Sequence, residues 1–186
     1  MPISTIGQNG LNAPLSLTTP ALGTPSALVL TNATGLPRVA LPTGSVLQVV
    51  NTVTASTLSA TNISTPTFFF QVAFTPLFTS SRVLIMANMG GVDNGGSGRI
   101  AVTIKQNTTS GGTSGSQAFQ MQCGQDSSGT NGISCISGNF IYPTATFTAG
   151  TTYYIKAIVN KNDTSSTWAV SQYSNDSSIT VMEISA

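Results

Sequence analysis

From residue 45 onward, apolar and polar residues alternate in short runs that are separated by clusters of Gly, Ser, Asn and Pro. In the clearest run Ile100, Val102 and Ile104 lie two residues apart. This period of two is that of a β-strand with one buried and one solvated face. The pattern predicts strands at residues 45–54, 65–74, 82–88, 98–106, 117–123, 133–142, 151–159, 166–173 and 178–185.

Short strands joined by turn clusters are typical of a sandwich or barrel. We therefore expect an all-β fold, an antiparallel and jelly-roll-like β-sandwich that spans residues 45–186 as one domain. Residues 83–86 depart from the alternation because all four are apolar. The second face of this strand is expected to be covered by the N-terminal segment or by another subunit.

Residues 1–44 have a different composition. Residues 1–37 contain no charged and no aromatic side chain, and six of the nine prolines fall before residue 45. Such a segment lacks the residues for its own core, but its spaced aliphatic side chains gain by burial against another surface. We interpret it as an extended attachment arm, and the alternative is a leader that no partner orders. The candidate attachment residues are Leu11, Leu15, Leu17, Leu22, Leu28, Leu30 and Leu36.

The content of charged residues and of histidine limits the classes of function that the chain can have. The chain holds 6 Lys and Arg, 5 Asp and Glu and no His. Six scattered cations do not form the cluster that nucleic-acid binding needs. Without His, the Ser-His-Asp and Cys-His mechanisms are excluded, and we expect no catalytic residue, no metal site and no cofactor. No apolar run approaches the ~20 residues of a spanning helix, so membrane insertion is not expected either.

The chain has two cysteines, Cys123 and Cys135. A hairpin centred on Gly129 would place them opposite one another, at a spacing that allows a cross-strand disulfide. The alternative is a pair of buried free thiols, which is the state expected after assembly in a reducing cytoplasm.

Three polar segments are candidate contact loops: residues 90–98, 107–116 and 161–165. Their neutral hydrogen-bonding groups suit a partner such as a cell-surface glycan. The alternative is that they are ordinary exposed turns, which use the same residue types. The candidate receptor-contact residues are Asp93, Asn94, Asn162, Asp163 and Thr164.

Several segments resemble a known class of protein. Residues 3–14 (ISTIGQNGLNAP) and 22–37 (LGTPSALVLTNATGLP) resemble the shaft-type segments of tailed-bacteriophage tail fibres. Residues 44–50 (GSVLQVV), 79–85 (TSSRVLI) and 179–184 (ITVMEI) resemble the globular parts of phage fibre and virion-surface proteins. The shaft-like unit occurs once rather than as a long repeat. The resemblance implies a homotrimeric, β-rich component of the virion surface.

The sequence therefore predicts a non-enzymatic virion protein with two candidate roles. The first is a short tail-fibre or adhesion protein, anchored by its arm to the tail or baseplate and contacting the host with its β-domain. The second is a capsid decoration protein whose arm clamps the shell. In both roles the partners are further copies and other virion proteins. Assembly in the host cytoplasm is expected because no secretory signal is visible near Met1.

Overall fold

The computed structural model describes residues 41–61, 65–93, 98–125, 133–161, 167–171 and 176–186. The chain divides into two units, Met1–Leu36 and Pro37–Ala186, and every described residue belongs to the second unit. The seven arm leucines lie outside the described residues. Their role in attachment stays a prediction.

Ten β-strands make up the described part of the chain. They are β1 (Val46–Thr54), β2 (Leu58–Thr61), β3 (Thr67–Phe74), β4 (Arg82–Asp93), β5 (Gly98–Asn107), β6 (Ser116–Gln125), β7 (Ile133–Tyr142), β8 (Tyr153–Lys161), β9 (Thr167–Val170) and β10 (Ser177–Ile184). All nine predicted strands are present. The prediction missed β2, because its four residues carry no clear alternation and its pairing with β9 defines it.

The strands pair as one long hairpin folded on itself. β5 pairs with β6, β4 with β7, β3 with β8, β2 with β9 and β1 with β10, all antiparallel. Further pairing of β4 with β10 and of β5 with β8 joins these hairpins into two sheets. One sheet has six strands in the order β1-β10-β4-β9-β2, with β7 also on β4, and the other has the order β3-β8-β5-β6. This wrapping is that of a jelly roll, so the predicted fold class is confirmed.

The core lies between the two sheets, where alternate residues of each strand meet. In β10 the residues are alternately buried and half-buried from Ser177 to Ile184. At one end of the core the Phe147 ring makes edge-to-face contacts with Phe74, Tyr142 and Tyr153, at centroid distances of 5.9, 5.0 and 4.8 Å. Burial of a large aliphatic or aromatic side chain stabilises by about 1.5–3 kcal/mol. The alternation therefore fixes which face of each strand points inward.

The hairpin predicted around Gly129 is wrong. β6 belongs to the four-stranded sheet and β7 to the six-stranded sheet, so the two strands pair with β5 and β4 instead of with each other. They still approach closely, because a Cβ atom on Gly138 would lie 2.8 Å from Phe119 Cε2 and 2.9 Å from Met121 Cγ. The absence of a side chain at Gly138 lets β6 pack against the backbone of β7.

The glycine-rich segment 90–98 begins as strand rather than loop. β4 continues to Asp93, with a bulge opposite β7 between Met89 and Val92. Gly91 has a φ of 52°, which an L-residue with a side chain rarely adopts. The first glycines of the segment thus serve a bulge that tightens the local twist.

Residues 108–115 fold onto the outer face of the four-stranded sheet. Lys156 Nζ donates to the Gly111 carbonyl, and Lys105 Nζ donates to another backbone carbonyl of the loop at 3.0 Å. Gln71 bonds the loop through both atoms of its amide, at 2.7 and 2.8 Å. Lys156 is 0% exposed, and this burial lowers its pKa. Three side chains thus anchor a segment that the sequence suggested as a soft contact loop.

Candidate self-association surface

An apolar row crosses the outer face of the six-stranded sheet. The register places Val49 opposite Met182, Met182 opposite Leu84, and Leu84 opposite Ile141. One residue from each of β1, β10, β4 and β7 therefore stands side by side. Directly opposed Cβ atoms lie about 4.5–5.5 Å apart, so the four side chains form a continuous strip.

The ends of this row are open to solvent. Val49 is 52% exposed and Ile141 is 49% exposed, while Leu84 and Met182 between them are half-buried. The paired residues Val46 and Ile184 extend the apolar surface toward one end of the sheet. The prediction that residues 83–86 are apolar on both faces therefore holds, and within the described part of the chain no element covers the outer face of this strand completely.

The remainder of this face is mostly polar and uncharged. The next row pairs Asn51, Thr180, Met86 and Asn139, and the row after it pairs Val53, Ser178, Asn88 and Ser137. Six of these residues line a shallow depression, together with Ala87 and Gly138; they are Met86, Asn88, Ser137, Asn139, Ser178 and Thr180. The face thus has an apolar end and a hydrogen-bonding end.

The size of the face is close to that of a protein interface. Four strands about 4.8 Å apart, with about 3.4 Å per residue over the nine residues of β1, outline roughly 19 Å by 31 Å. The projected area of about 600 Å² approaches the ~800 Å² that each partner buries in a standard interface. The face is large enough for a specific complex.

Little charge opposes contact at this face. Among the side chains that the structure describes, Arg82 is the one charged group on it, at the apolar end opposite Ile184. Glu183 lies in β10 but points inward, where it is 0% exposed. With a net charge of +1 for the whole chain, two copies experience little mutual repulsion.

The predicted receptor-contact residues lie mostly outside the described chain. Asp93 ends β4, where it pairs with Ile133 and Ala169, and residues 94 and 162–164 are not described. The strands that flank the two contact segments are neighbours, because Ile100 pairs with Lys161. The first residues of β5 and the last residues of β8 therefore lie at the same end of the sandwich, whereas residues 108–115 follow the other end of β5.

One cysteine departs from the expectation of two buried free thiols. Cys135 is exposed in β7, so the predicted burial of its thiol is wrong. Among the described strands β7 pairs only with β4, so its other edge is open and the Cys135 side chain is accessible. The Cys123 side chain lies outside the described part, and the disulfide stays a prediction.

The described residues contain no group of three or more Cys, Asp and Glu side chains able to hold a metal ion. In the same part of the chain no helix has the length and apolar character needed to span a membrane.

The apolar row was not visible in the sequence. Its four members lie 35 to 133 positions apart along the chain, and only the strand register brings them together. The sequence held one indication of this surface, since Val49 and Val53 flank polar Asn51 at alternate positions, which lie on one face of a strand. That signal indicates an exposed apolar strand but does not locate its neighbours.

Comparisons with known proteins were made for the whole chain. No protein-family model matches it. No curated protein matches it either. Among solved structures it is similar to a chain from Bacillus endospore appendages, described as a novel family of disulfide-linked pili, with a TM-score of 0.34 and 11% sequence identity. The match covers 82% of this chain and 100% of that chain. A likeness of this degree carries no argument about function.

Proposed function

We propose that this chain is a non-enzymatic structural subunit that self-associates through the outer face of its six-stranded sheet. The observation that carries the proposal is the apolar row of Val49, Met182, Leu84 and Ile141. Contiguous exposed apolar surface marks interaction sites in soluble proteins. Burying the exposed half of a Val or Ile side chain returns about 1 kcal/mol, so a few such residues supply a useful part of an interface.

A further copy is the partner that this surface fits best. The face carries almost no charge, so neighbouring copies can pack against it without repulsion. The oligomer we propose is a homotrimer, as the resemblance to phage fibre proteins implies. Its mass would be three times the 19.1 kDa of one chain.

Analytical ultracentrifugation of the full chain tests this proposal. The wild type should sediment as a trimer at micromolar concentration. Ile141→Lys adds a charge at an exposed end of the row, and it should shift the protein toward monomer. Gln122→Lys is the matched control, because Gln122 is exposed in a strand of the other sheet and should leave the trimer intact. A monomeric wild type would refute the proposal, as would equal dissociation by the two variants.

The role we propose for the assembly is a short tail fibre or adhesion protein on a phage particle. The motif resemblance supports this role, and jelly rolls also recur in viral capsid and lectin domains, which is an analogy at the level of fold. The N-terminal arm would bind a tail or baseplate protein. The end of the sandwich at which β5 begins and β8 ends would face the host, where a surface glycan is the proposed ligand.

Replacing residues 94–97 or 162–165 with Gly-Ser sequence tests the adhesion role. Binding of particles to host cells should fall sharply with the melting temperature unchanged. Three weak sites on a trimer bind together, and each replacement removes its site from all three subunits at once. Binding should also change little with salt, because the chain offers few charges for electrostatic capture. Unchanged adsorption after both replacements would argue against adhesion.

Capsid decoration is the second role that the neutral, aliphatic arm supports. In that role the arm would run over the shell and clamp neighbouring capsid subunits. The number of chains per purified particle separates the two roles. A few trimers indicate a fibre, and hundreds of chains indicate decoration.

A further inference from the structure

Charged residues are distributed among the strands in an unusual way. Among the described strands, β1, β2, β3, β6 and β7 each have one sheet neighbour, and none of the five contains a charged residue. The charged residues that lie in strands all occur in β4, β5, β8 and β10, which have neighbours on both sides; they are Arg82, Asp93, Arg99, Lys105, Lys156, Lys161 and Glu183. Monomeric sheet proteins usually protect edge strands with charge or proline. Here the edges lack both.

β1 is the edge best suited to accept another strand. It contains neither Gly nor Pro, and it holds three of the large hydrophobic residues that are most exposed; these are Val46, Val49 and Val53, at 53%, 52% and 55%. A register shift separates Val46 from Gln48, so the regular part of β1 is residues 48–54. By comparison, β7 is interrupted by Gly138, and β6 presents mainly polar glutamines.

We propose that the edge of β1 pairs antiparallel with β1 of a second copy, about a two-fold axis at Asn51. Residue 51 is the centre of the regular segment 48–54. Directly opposed residues in an antiparallel pair lie on the same face. In this register Val49 stands opposite Val53 of the second copy, and the reciprocal pair forms on the other side of the axis. The two outermost positions pair Gln48 with Thr54.

This register is favoured by its self-complementarity. It opposes apolar side chains to apolar side chains at both outer-face pairs, and such β-branched pairs stabilise a sheet. Asn51 Nδ2 donates to Thr180 Oγ1 at 2.7 Å and to the Ile179 carbonyl at 3.3 Å, which holds the side chain against β10 and away from the edge. A shift by one residue would place the valines of each copy on opposite faces of the joined sheet. The pairing extends the apolar face across two molecules.

The inference rests on the self-association of the proposed function but uses the strand edge instead of the sheet face. A two-fold contact is isologous, so it closes after two copies. It can therefore join two assemblies that the sheet face has formed. The proposed edge contact and the proposed face contact are tested by different variants, so the failure of one proposal is distinguishable from the failure of the other.

Disulfide trapping tests the register in the full chain with Cys123 and Cys135 both replaced by Ser. Asn51→Cys places two thiols on the two-fold axis, within the distance that a disulfide spans. Mild oxidation should give at least about tenfold more cross-linked dimer than Gln122→Cys, because paired thiols react at a high effective concentration. The Gln122 position is an exposed control on the other sheet. Equal yields from the two variants would overturn the proposal.

A mixing experiment checks the register without relying on Asn51. Val49→Cys and Val53→Cys should each give little dimer alone, since like thiols lie about 14 Å apart along the strand in the proposed pairing. A mixture of the two, with one chain carrying a tag, should give the mixed dimer. Dimer formation by either variant alone at the level of the mixture would contradict the register. A wild type that sediments as an oligomer while no cysteine pair cross-links would overturn the edge contact and leave the face contact standing.

Discussion

Replacement of Glu183 should destabilise the domain, because its carboxylate accepts a small set of partly buried hydrogen bonds. The carboxylate is 0% exposed. It accepts hydrogen bonds from the backbone N–H groups of Leu77 and Phe78 at 2.9 Å and from Gln48 Nε2 at 2.6 Å. These bonds tie β10 to β1 and to the segment that leads into β4. The buried Glu183 side chain thus links three parts of the chain at one end of the sandwich through hydrogen bonds.

The expected magnitude follows from the donors that lose their partner. In Glu183→Ala the backbone N–H groups of half-buried Leu77 and Phe78 lose their acceptor, at about 1–3 kcal/mol each. We expect a loss of about 4 kcal/mol for the pair. For a domain of this size, one kcal/mol corresponds to about 2–4 °C, so the melting temperature should fall by about 8–16 °C. Relief of the cost of burying the charge offsets part of this loss.

Glu183→Gln is the matched control. The amide retains one oxygen for Leu77 and Phe78, but it directs a donor toward Gln48 Nε2, which is also a donor. We expect a loss of about 1–2 kcal/mol for this variant. Urea unfolding followed by circular dichroism measures both, at one protein concentration because association adds to stability. Two variants that melt like the wild type, or a Gln variant as unstable as the Ala variant, would refute the hydrogen-bond argument.

Four further predictions concern separate parts of the chain. Gly138→Ala should lower the free energy of unfolding by about 1–3 kcal/mol through overpacking against β6. A variant that unfolds at the same urea concentration as the wild type would contradict the close contact between the sheets. Tyr142→Phe should leave stability equal or higher, because the buried hydroxyl has no partner among the described residues and burial raises its pKa; a clear loss would reveal a partner. Burial lowers the pKa of Lys156, so the unfolded chain binds more protons as the pH rises toward the ordinary pKa of lysine, and wild-type stability relative to Lys156→Met should rise with pH in that range; a stability difference that falls with pH would contradict this direction. Deleting residues 1–37 should leave a soluble β-domain that fails to join the particle, and normal incorporation would place attachment elsewhere.

Local patterns in the sequence were sufficient for most of the strands and for the fold class. A period of two is a property of neighbouring residues, and β7 was predicted with its observed bounds because its run ends in a Pro turn. The shortage of charge and the absence of His likewise bear on function without any structure. Where the local pattern was weak, as in β2, the prediction failed because its partner strand supplies the stabilising pairs.

The tertiary structure decided what depends on register and on wrapping. Cys123 and Cys135 appeared to flank a hairpin, but nesting the chain into two sheets gives β6 and β7 other partners. Glycines at 90 and 91 appeared to start a loop, yet they form a bulge in a strand whose neighbours extend it. The apolar row exists only because four distant strands align Val49, Met182, Leu84 and Ile141 on one face. Alternation along one strand identifies its inward side, but the neighbour of an outward side chain is set by pairing across the sheet, and no local pattern contains that information.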